Sequence, residues 1–254
     1  MTSPRTYVIT GTASGIGRTT RQLLESQGHR IIGVDLRDAE IITDLSTLEG
    51  RRVLIEQATQ LSDGVVDGVL AVAGVDIAGP ATVAINYYGA LATLVGLRPL
   101  LLKSKEPRAV AVSSIVGVHP FDPELVEAML DGTETQALAR AEEAPFAYAS
   151  TKQALSRWIR RVAASEEWAG AGIPLNAISP GLVKTELLSR LFEDQATKDR
   201  INLGCPMPLK GPFEPIAAAE LLAFLASEKN GHMTGQMIYI DGGADVMLRG
   251  DSVW

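Results

Sequence analysis

Short apolar and β-branched runs alternate along the chain with longer segments in which apolar residues recur at helical spacing. A short apolar run bounded by turn-forming residues is typical of a strand buried on both faces, and the longer segments are typical of amphipathic helices. The predicted strands are Tyr7–Thr10, Arg30–Val34, Val66–Val72, Ala109–Val112, Pro174–Ile178 and Met237–Ile240. This alternation predicts an α/β fold, a doubly wound parallel sheet whose ligand sites open at the carboxyl ends of the strands.

The pattern gives no sign of a second domain. Since no linker rich in Pro, Gly or Ser and no internal repeat divides the chain, we predict a single domain over residues 1–254. Residues 122–143 depart from the strand–helix alternation, because they are rich in Glu, Ala and Leu and place Leu125, Met129 and Leu130 at helical spacing. We predict a helical insertion there, with a break at Gly132.

Composition narrows the possible partners. With 46% hydrophobic residues among 254, the chain can bury a sizeable core. A net charge of -7 without any cluster of Lys and Arg excludes a surface for nucleic acid, which needs concentrated positive charge. His29, His119 and His232 do not stand at metal-ligand spacing, so we predict no metal site. The expected partner is a small molecule of little charge.

Cysteine usage and apolar stretches bear on the compartment. Cys205 is the single cysteine, so an internal disulfide is impossible, which is consistent with a reducing environment. The first residues lack the basic and apolar regions of a signal peptide, and no run approaches the ~18 apolar residues of a membrane span. We expect a cytoplasmic protein that does not associate with membranes.

The first predicted strand runs into a glycine-rich turn that opens a helix. Gly11, Gly15 and Gly17 stand where a dinucleotide-binding turn needs them, for the reversal of the chain, the approach of backbone to pyrophosphate and the close packing of helix on strand. A glycine pattern alone is weak evidence, but here an acidic residue, Asp35, stands at the end of the next strand, as dinucleotide binding requires. The turn predicts a Rossmann-type site with loop contacts from Gly11, Ser14, Gly15, Ile16 and Gly17.

Asp35 bears on the choice of cofactor. Its carboxylate can accept hydrogen bonds from the ribose hydroxyls of NAD and would repel the 2′-phosphate of NADP, so we predict NAD(H) in preference to NADP(H). Arg37 leaves the alternative open, because it could pair with that phosphate if Asp35 turned away. Asp44 and Leu45 follow a third short segment and could reach the adenine, although an Asp before a helix is as readily an N-cap.

Further motifs at predicted strand ends resemble those of the short-chain dehydrogenases/reductases over essentially the whole chain. They are Gly11-x3-Gly15-x-Gly17, Ala73-Gly74, Asn86, Ser113-Ser114-x2-Gly117, Tyr148-x3-Lys152, Pro180-Gly181 with Thr185 beyond, and Asp241-Gly242-Gly243. The resemblance implies an NAD(H)-dependent oxidoreductase acting on a secondary alcohol or ketone, with a catalytic tetrad of Asn86, Ser114, Tyr148 and Lys152. It also implies cofactor contacts from Ala73, Gly74, Tyr148, Lys152, Pro180, Gly181, Val183 and Thr185.

The chemistry expected of these residues can be argued from their side chains. Oxidation of an alcohol requires a base that takes the hydroxyl proton while hydride leaves, and ketone reduction requires the conjugate acid. A phenol has an ordinary pKa of about 10, so Tyr148 needs a neighbouring cation to act as a base. Lys152 lies one helical turn further on, on the same face. Ser114 can hold the substrate oxygen as charge develops on it, and the family resemblance implies that Asn86 steadies the lysine through a water.

Two spacings depart from the usual family pattern. The stretch between Gly74 and Asn86 is short, which predicts a loop where relatives commonly have a helix, and the stretch between Ser114 and Tyr148 is long because of the insertion. This pair of departures resembles the bacterial 3α-hydroxysteroid dehydrogenase/carbonyl reductases within the family. It implies a 3α-hydroxysteroid or a similarly bulky apolar hydroxy or keto compound as substrate.

The segment 184–210 carries apolar residues beside the nicotinamide motif: Leu187, Leu188, Leu191, Phe192, Met207 and Leu209. We interpret it as a lid over the substrate, with an ordinary core stripe on a helix as the alternative.

The insertion also bears on assembly. In many family members the helix of Tyr148 forms a subunit interface, and an insertion just before that helix could cover this surface. We therefore expect a homo-oligomer, with a dimer built on Pro215–Ile240 in place of a tetramer.

Other functions remain open from the sequence. Within the same reaction class, the chain could be a general carbonyl or quinone reductase, or a dehydrogenase of a non-steroid secondary alcohol, because these differ only in the shape of the pocket. In another class, it could be a non-catalytic sensor of NAD(H). His119, five residues after Ser114, could line the pocket.

Overall fold

The computed structural model describes residues 3–191 and 195–253. At its centre lies a seven-stranded sheet in which every neighbouring pair of strands is parallel. The strands are β1 (Thr6–Thr10), β2 (Arg30–Asp35), β3 (Ile41–Ile42), β4 (Gly68–Ala71), β5 (Arg108–Val112), β6 (Leu175–Pro180) and β7 (Met237–Ile240). Their order is β3-β2-β1-β4-β5-β6-β7. The predicted fold class, a single Rossmann-type domain, is confirmed.

Helices cover both faces of the sheet and connect the strands, except β2 and β3, which a short loop joins. The helices are α1 (Gly15–Ser26), α2 (Leu48–Leu61), α3 (Pro80–Val83), α4 (Ala90–Leu101), α5 (Pro123–Asp131), α6 (Glu134–Ala141), α7 (Ala147–Val162), α8 (Glu186–Leu191), α9 (Gln195–Gly204), α10 (Pro215–Ala226) and α11 (Ala244–Arg249). A π-helical turn, Ala84–Gly89, joins α3 to α4, and a 3-10 helix, Ile115–Val118, follows β5.

The continuous apolar runs of the strands follow from burial on both faces. Val8 and Ile9 of β1 are both fully buried, and because successive side chains of a strand point to opposite faces they belong to different cores. Val8 packs in the core that includes Leu97 of α4, and Ile9 packs in the core that includes Leu222 of α10. Strands of this kind therefore show no alternation of apolar and polar residues.

The insertion before Tyr148 consists of two capped helices that are fixed to the rest of the protein. The carboxylate of Asp122 caps α5 by accepting a hydrogen bond from Leu125 N at 2.8 Å, and it also pairs with Arg140 of α6. Glu134 of α6 accepts a hydrogen bond of 2.9 Å from Arg51 of α2. Helix α5 packs on α7 and α6 packs on α3, so the insertion covers part of both.

The stretch before Asn86 differs from the prediction. Residues 75–79 form a loop, but the chain is helical from Pro80, so the expected loop as far as Asn86 is wrong in its second half. Proline is well suited to the first turn of a helix because the amide hydrogen it lacks has no partner there. The π turn that follows places Asn86 inside the helix, where it is buried.

One long apolar helical run bears on the prediction that no segment spans a membrane. Within the part of the chain that the structure describes, Pro80–Leu101 is long and apolar enough to cross a membrane by length and composition, with a mean hydropathy of 1.2. Of that window, 56% is buried inside the protein. Burial of this kind is what a core helix shows, and α4 indeed contributes Leu94 and Leu97 to the core.

Candidate active site

The carboxyl ends of the central strands open into a cavity of about 710 Å³. Its volume lies in the usual range of small-molecule sites. The predicted site residues on its wall are Gly11, Ser14, Gly15, Ile16, Gly17, Asp35, Asp44, Leu45, Ala73, Gly74, Ser114, Tyr148, Lys152, Pro180, Gly181, Val183 and Thr185. Asn86 is the predicted site residue that does not line the cavity. The strand ends therefore bring the nucleotide motifs and the chemical motifs to one site.

The glycine turn is packed too closely for side chains. Gly11 has a φ of +78°, and a Cβ there would lie 3.0 Å from the backbone nitrogen of Ala73, two residues beyond β4. A Cβ on Gly17 would lie only 2.0 Å from the carbonyl oxygen of Gly11, so helix α1 could not approach the turn as it does. Ser14 is the N-cap of α1, and its side chain makes no capping hydrogen bond. The first amides of α1, at the positive end of the helix dipole, therefore fit the pyrophosphate of a dinucleotide.

Asp35 ties the end of β2 to this turn. Its carboxylate accepts hydrogen bonds from Ala13 N at 2.9 Å and from Leu36 N at 2.7 Å. Because a carboxylate can accept about four hydrogen bonds, capacity remains for the two hydroxyls of a ribose. Arg37, the residue that left NADP open, is exposed, has its nearest carboxylate at 3.9 Å on Asp38 and does not line the cavity.

The structure separates the two interpretations of Asp44. The N-cap of α2 is Thr47, whose hydroxyl accepts a hydrogen bond from Gly50 N at 2.9 Å, so the N-cap interpretation of Asp44 is wrong. Asp44 instead accepts a hydrogen bond from Ser46 N at 2.8 Å, which shapes the turn before the helix. It is exposed on the cavity wall, next to Leu45.

Three chemically capable side chains meet at the other end of the cavity. Ser114 follows β5 and caps the 3-10 helix by accepting a hydrogen bond from Val116 N at 3.3 Å. Ser114 is near enough to the Tyr148 hydroxyl to lower the pKa of the phenol through hydrogen bonding. Lys152 lies one turn further along α7, with Nζ 5.6 Å from the centre of the Tyr148 ring and 3.0 Å from Val112 O, to which it donates. The predicted cluster of hydroxyl, phenol and ammonium is thus assembled.

The electrostatics of this cluster differ from the simplest expectation. Burial raises the pKa of Tyr148 to about 12. Hydrogen bonding to Ser114 lowers this pKa, and the negative charge of Asp76 raises it further. Burial lowers the pKa of Lys152 to about 8, although the charge of Asp76 opposes this. The ammonium of Lys152, only 3% exposed, does not hold the phenol's pKa below its ordinary value in the protein alone.

Asn86 acts on the loop after β4. Its Oδ1 accepts a hydrogen bond from Val75 N and its Nδ2 donates to Val75 O, both at 2.8 Å, while Nδ2 also lies 3.4 Å from Thr151 Oγ1. A Cβ on Gly74 would lie 3.3 Å from Asn86 Oδ1 and 3.4 Å from Lys152 Nζ. Asn86 therefore holds the backbone that passes beside Lys152, and its link to the lysine through a water stays a prediction.

The segment after β6 contacts the glycine turn. Thr185 Oγ1 donates to Val183 O at 3.3 Å and accepts a hydrogen bond from Leu188 N at 3.5 Å, in the first turn of α8. A Cβ on Gly15 would lie 3.1 Å from the methyl carbon of Thr185. Val183 forms an isolated parallel bridge with Phe213. Helix capping and a position on the cavity wall coexist at Thr185, as the sequence allowed.

Helices α8 and α9 cover part of the cavity, and the lining differs in detail from the predicted apolar set. Leu187 and Leu188 line the cavity, whereas Leu209 is 67% exposed and does not. Met207 packs behind the wall, its sulfur 3.2 Å from Leu182 N. The side chain of Leu191 and the whole of Phe192 lie outside the described residues.

Several cavity residues were not predicted. Helix α9 contributes a face of Thr197, Arg200, Ile201 and Gly204, and Cys205 follows directly after the helix. Their helical spacing was a usable signal, but the polar composition of α9 hides it. Asp76 also lines the wall, and its place two residues after a strand-end glycine was the signal for it.

His119 lines the cavity wall, as the sequence allowed. Within residues 3–191 and 195–253, no group of three or more His, Cys, Asp or Glu side chains could hold a metal ion.

A nucleotide-binding turn that shares a cavity with a hydroxyl, phenol and ammonium cluster defines a dinucleotide-dependent oxidoreductase on a Rossmann-type sheet. Comparison with known proteins places the chain more closely. A family model described as enoyl-(acyl carrier protein) reductase matches residues 132–245. The chain is 39% identical to the 3α-hydroxysteroid dehydrogenase/carbonyl reductase of Comamonas testosteroni, over 95% of this chain and 97% of that protein. It is 32% identical to the coniferyl-alcohol dehydrogenase of a Pseudomonas strain, over 93% and 94%.

Solved structures agree. The crystal structure of the 3α-hydroxysteroid dehydrogenase from Pseudomonas sp. B-0831, complexed with NADH, matches with a TM-score of 0.91 and 37% identity, covering 97% of this chain and 99% of that chain. The aldohexose dehydrogenase of Thermoplasma acidophilum, at 19% identity and a TM-score of 0.76, over 96% and 94%, shares the fold. The protein belongs to the short-chain dehydrogenase/reductase family, and the resemblance seen in its sequence is confirmed.

The low pKa of Lys152 predicts a measurable dependence of stability on pH. Its pKa of about 8 in the folded protein lies below the ordinary 10.5, so between these values the unfolded chain binds more protons and the free energy of unfolding rises with pH. A shift of this size corresponds to about 3 kcal/mol. We expect the unfolding free energy of the wild type to gain roughly that amount over Lys152→Met between pH 8 and 10.5, as measured by urea denaturation.

The matched control is Lys105→Met, which removes an exposed ammonium. We expect its difference from the wild type to stay constant over the same pH range. A constant difference for Lys152→Met as well would show that burial does not depress the proton affinity of Lys152.

Proposed function

We propose that the protein interconverts a secondary alcohol and a ketone with NAD(H), and that its substrate is a 3α-hydroxysteroid or a similarly bulky apolar compound. The observation that carries this proposal is the cavity that joins the glycine turn to Ser114, Tyr148 and Lys152, beneath an apolar cover that includes Leu188 and Ile201. The Comamonas relative, named for hydroxysteroid dehydrogenase and carbonyl reductase activity, supports the substrate class.

In this proposal, Tyr148 donates or accepts the proton. In ketone reduction its hydroxyl donates a proton to the carbonyl oxygen, and in alcohol oxidation its deprotonated oxygen accepts the hydroxyl proton. Ser114, which lies beside the phenol, donates to the same substrate oxygen as negative charge develops there. With a phenol pKa of about 12, Tyr148 holds its proton at neutral pH and is ready for reduction.

Lys152 serves as the positive neighbour and as a cofactor contact. An ammonium has three N–H donors, and one is used on Val112 O, which leaves others for the nicotinamide ribose. NAD, when bound, supplies the hydride acceptor and in its oxidised form adds a positive charge that favours ionisation of the phenol. Asn86 supports Lys152 indirectly by fixing the loop at Val75.

The remaining predicted residues hold the cofactor in this proposal. The amides from Ser14 to Gly17 bind the pyrophosphate, and Asp35 binds the ribose hydroxyls, which makes NAD the preferred dinucleotide. Asp44 and Leu45 border the adenine. Gly11, Ala73 and Gly74 form the floor beneath the dinucleotide, and the nicotinamide carboxamide is held by the segment Pro180, Gly181, Val183 and Thr185. A cytoplasmic location stays a prediction.

The substrate class is tested by a panel of 3α- and 3β-hydroxysteroids, their ketones, and small ketones and quinones, followed by the absorbance of NADH. We expect turnover of steroids of one configuration at the 3-hydroxyl. Turnover of small carbonyls or quinones alone would support the proposed reaction but contradict the proposed substrate class. NADH binding without turnover of any compound would favour the sensing alternative.

Replacing Tyr148 by Phe removes the proton donor and keeps the ring. We expect Tyr148→Phe to lower kcat by roughly 10²- to 10⁴-fold while NADH binding, followed by fluorescence, is retained. The control is Tyr88→Phe, because the Tyr88 hydroxyl has no hydrogen-bond partner among the described residues and lies outside the cavity. Near-normal turnover by Tyr148→Phe would contradict the role assigned to the phenol.

Cofactor choice is tested at Asp35. Removing its charge removes the repulsion of a 2′-phosphate, so we expect Asp35→Ala to raise the ratio of kcat/KM for NADP to that for NAD by about tenfold, on the scale of one charge interaction near a protein surface. Arg37→Ala is the control and should leave this ratio unchanged, because Arg37 does not line the cavity. An unchanged ratio in Asp35→Ala would argue against the ribose contact.

Assembly is proposed to be a homodimer built on Pro215–Ile240. Strand β7 is an edge strand, and α10 exposes Ile216 and Phe224 at 42% and 40%. We expect light scattering to give the mass of two 27.0 kDa chains, and the double variant Ile216→Glu with Phe224→Glu to give one. Leu48→Glu, at an exposed position on α2, is the control. A mass of four chains would contradict the dimer.

A further inference from the structure

The loop between β4 and α3 is fixed on both sides of a single residue. Asn86 bonds both the amide and the carbonyl of Val75, and the Thr82 hydroxyl bonds the amide of Ile77 at 3.2 Å as well as its carbonyl. Both clamping side chains are buried. Asp76 lies between the two clamped residues, so its backbone is held on either side by groups that belong to the core.

This places a carboxylate at the chemical end of the cavity. Asp76 lines the same cavity as Ser114 and Tyr148. It lies two residues beyond Gly74, where a Cβ would come within 3.4 Å of Lys152 Nζ. Its negative charge raises the pKa of both the Tyr148 phenol and the Lys152 ammonium, in agreement with this placement.

Asp76 is more accessible to a substrate than Lys152 is. Asp76 is exposed, whereas Lys152 is almost fully buried and bound to Val112 O. Apolar residues, among them Val75, Ile115, Val116 and Leu182, line much of the cavity. The other cationic side chain on the wall, Arg200, belongs to the covering helix α9. Because apolar residues rather than water lie on one side of it, the charge of Asp76 acts more strongly there than it would in open water.

We propose that Asp76 is a specificity-determining residue that selects against ketones carrying a negative charge next to the reacting carbonyl. The inference rests on the proposed function, because it concerns the same site. A carboxylate on the carbon beside the carbonyl would be brought towards Asp76 whenever the carbonyl oxygen reached Ser114 and Tyr148. Neutral ketones avoid this repulsion, and 2-oxo acids do not.

The test compares benzoylformate with benzoylformamide, an anionic and a neutral ketone of nearly the same shape, as substrates for reduction with NADH at pH 8. The quantity measured is the ratio of kcat/KM for the anion to that for the amide, in the wild type and in Asp76→Asn. Since the same two compounds are used with both proteins, their difference in intrinsic reactivity cancels. We expect Asp76→Asn to raise this ratio by about tenfold, the scale of one like-charge contact near a protein surface.

The matched control is Glu127→Gln, which removes an exposed carboxylate from α5, outside the cavity. It should leave the ratio unchanged, and a rise equal to that of Asp76→Asn would reduce the effect to net charge and overturn the inference. Added salt should raise the ratio in the wild type and have less effect in Asp76→Asn. Reduction with an unchanged ratio in Asp76→Asn would overturn this inference alone. Failure of the wild type to reduce any ketone in either panel would overturn the proposed function as well.

Discussion

Parallel pairing of all seven strands places their carboxyl ends on one edge of the sheet, and the position of every site residue depends on this constraint. Parallel strands require a crossover after each strand, so helices must cover both faces and the strands must be apolar on both sides. The segments that follow the strands are then free to carry polar groups at the common edge. Residues as distant in sequence as Asp35 and Thr185 meet in one cavity for this reason.

Much of the fold could be predicted because this constraint leaves a trace in the sequence. Six strands were evident as apolar runs, whereas β3 was too short, at two residues, to be more than a short segment. The insertion was visible because Leu125, Met129 and Leu130 recur at helical spacing, and the capping box of Thr133 and Gln136 at the start of α6 is a feature that the structure adds. The π turn at Asn86 left no such trace, because a local widening of a helix changes neither composition nor period.

The candidate site was predictable where function requires a backbone position or a residue type, and less so where it depends on packing. Gly11 and Gly17 are required by close backbone contacts, so their spacing is informative. The lining by Ile201 and the exposure of Leu209 depend on how α8 and α9 settle over the cavity, and an apolar residue is compatible with either location. The sequence also could not show that burial would outweigh the effect of Lys152 on Tyr148.

That last point connects the energetics of the fold with its chemistry. A buried ammonium is costly unless it is hydrogen-bonded, and Lys152 has Val112 O as its partner and Asp76 as a nearby negative charge. The same burial that depresses the proton affinity of the lysine raises the pKa of the phenol beside it. In the protein alone, Tyr148 therefore holds its proton and Lys152 gives its own up more readily than a free lysine, which is the arrangement of a site poised to protonate a carbonyl. A positive charge that entered this pocket would lower the pKa of both Tyr148 and Lys152, because little water lies there to screen it. It would thereby favour the phenolate form of Tyr148.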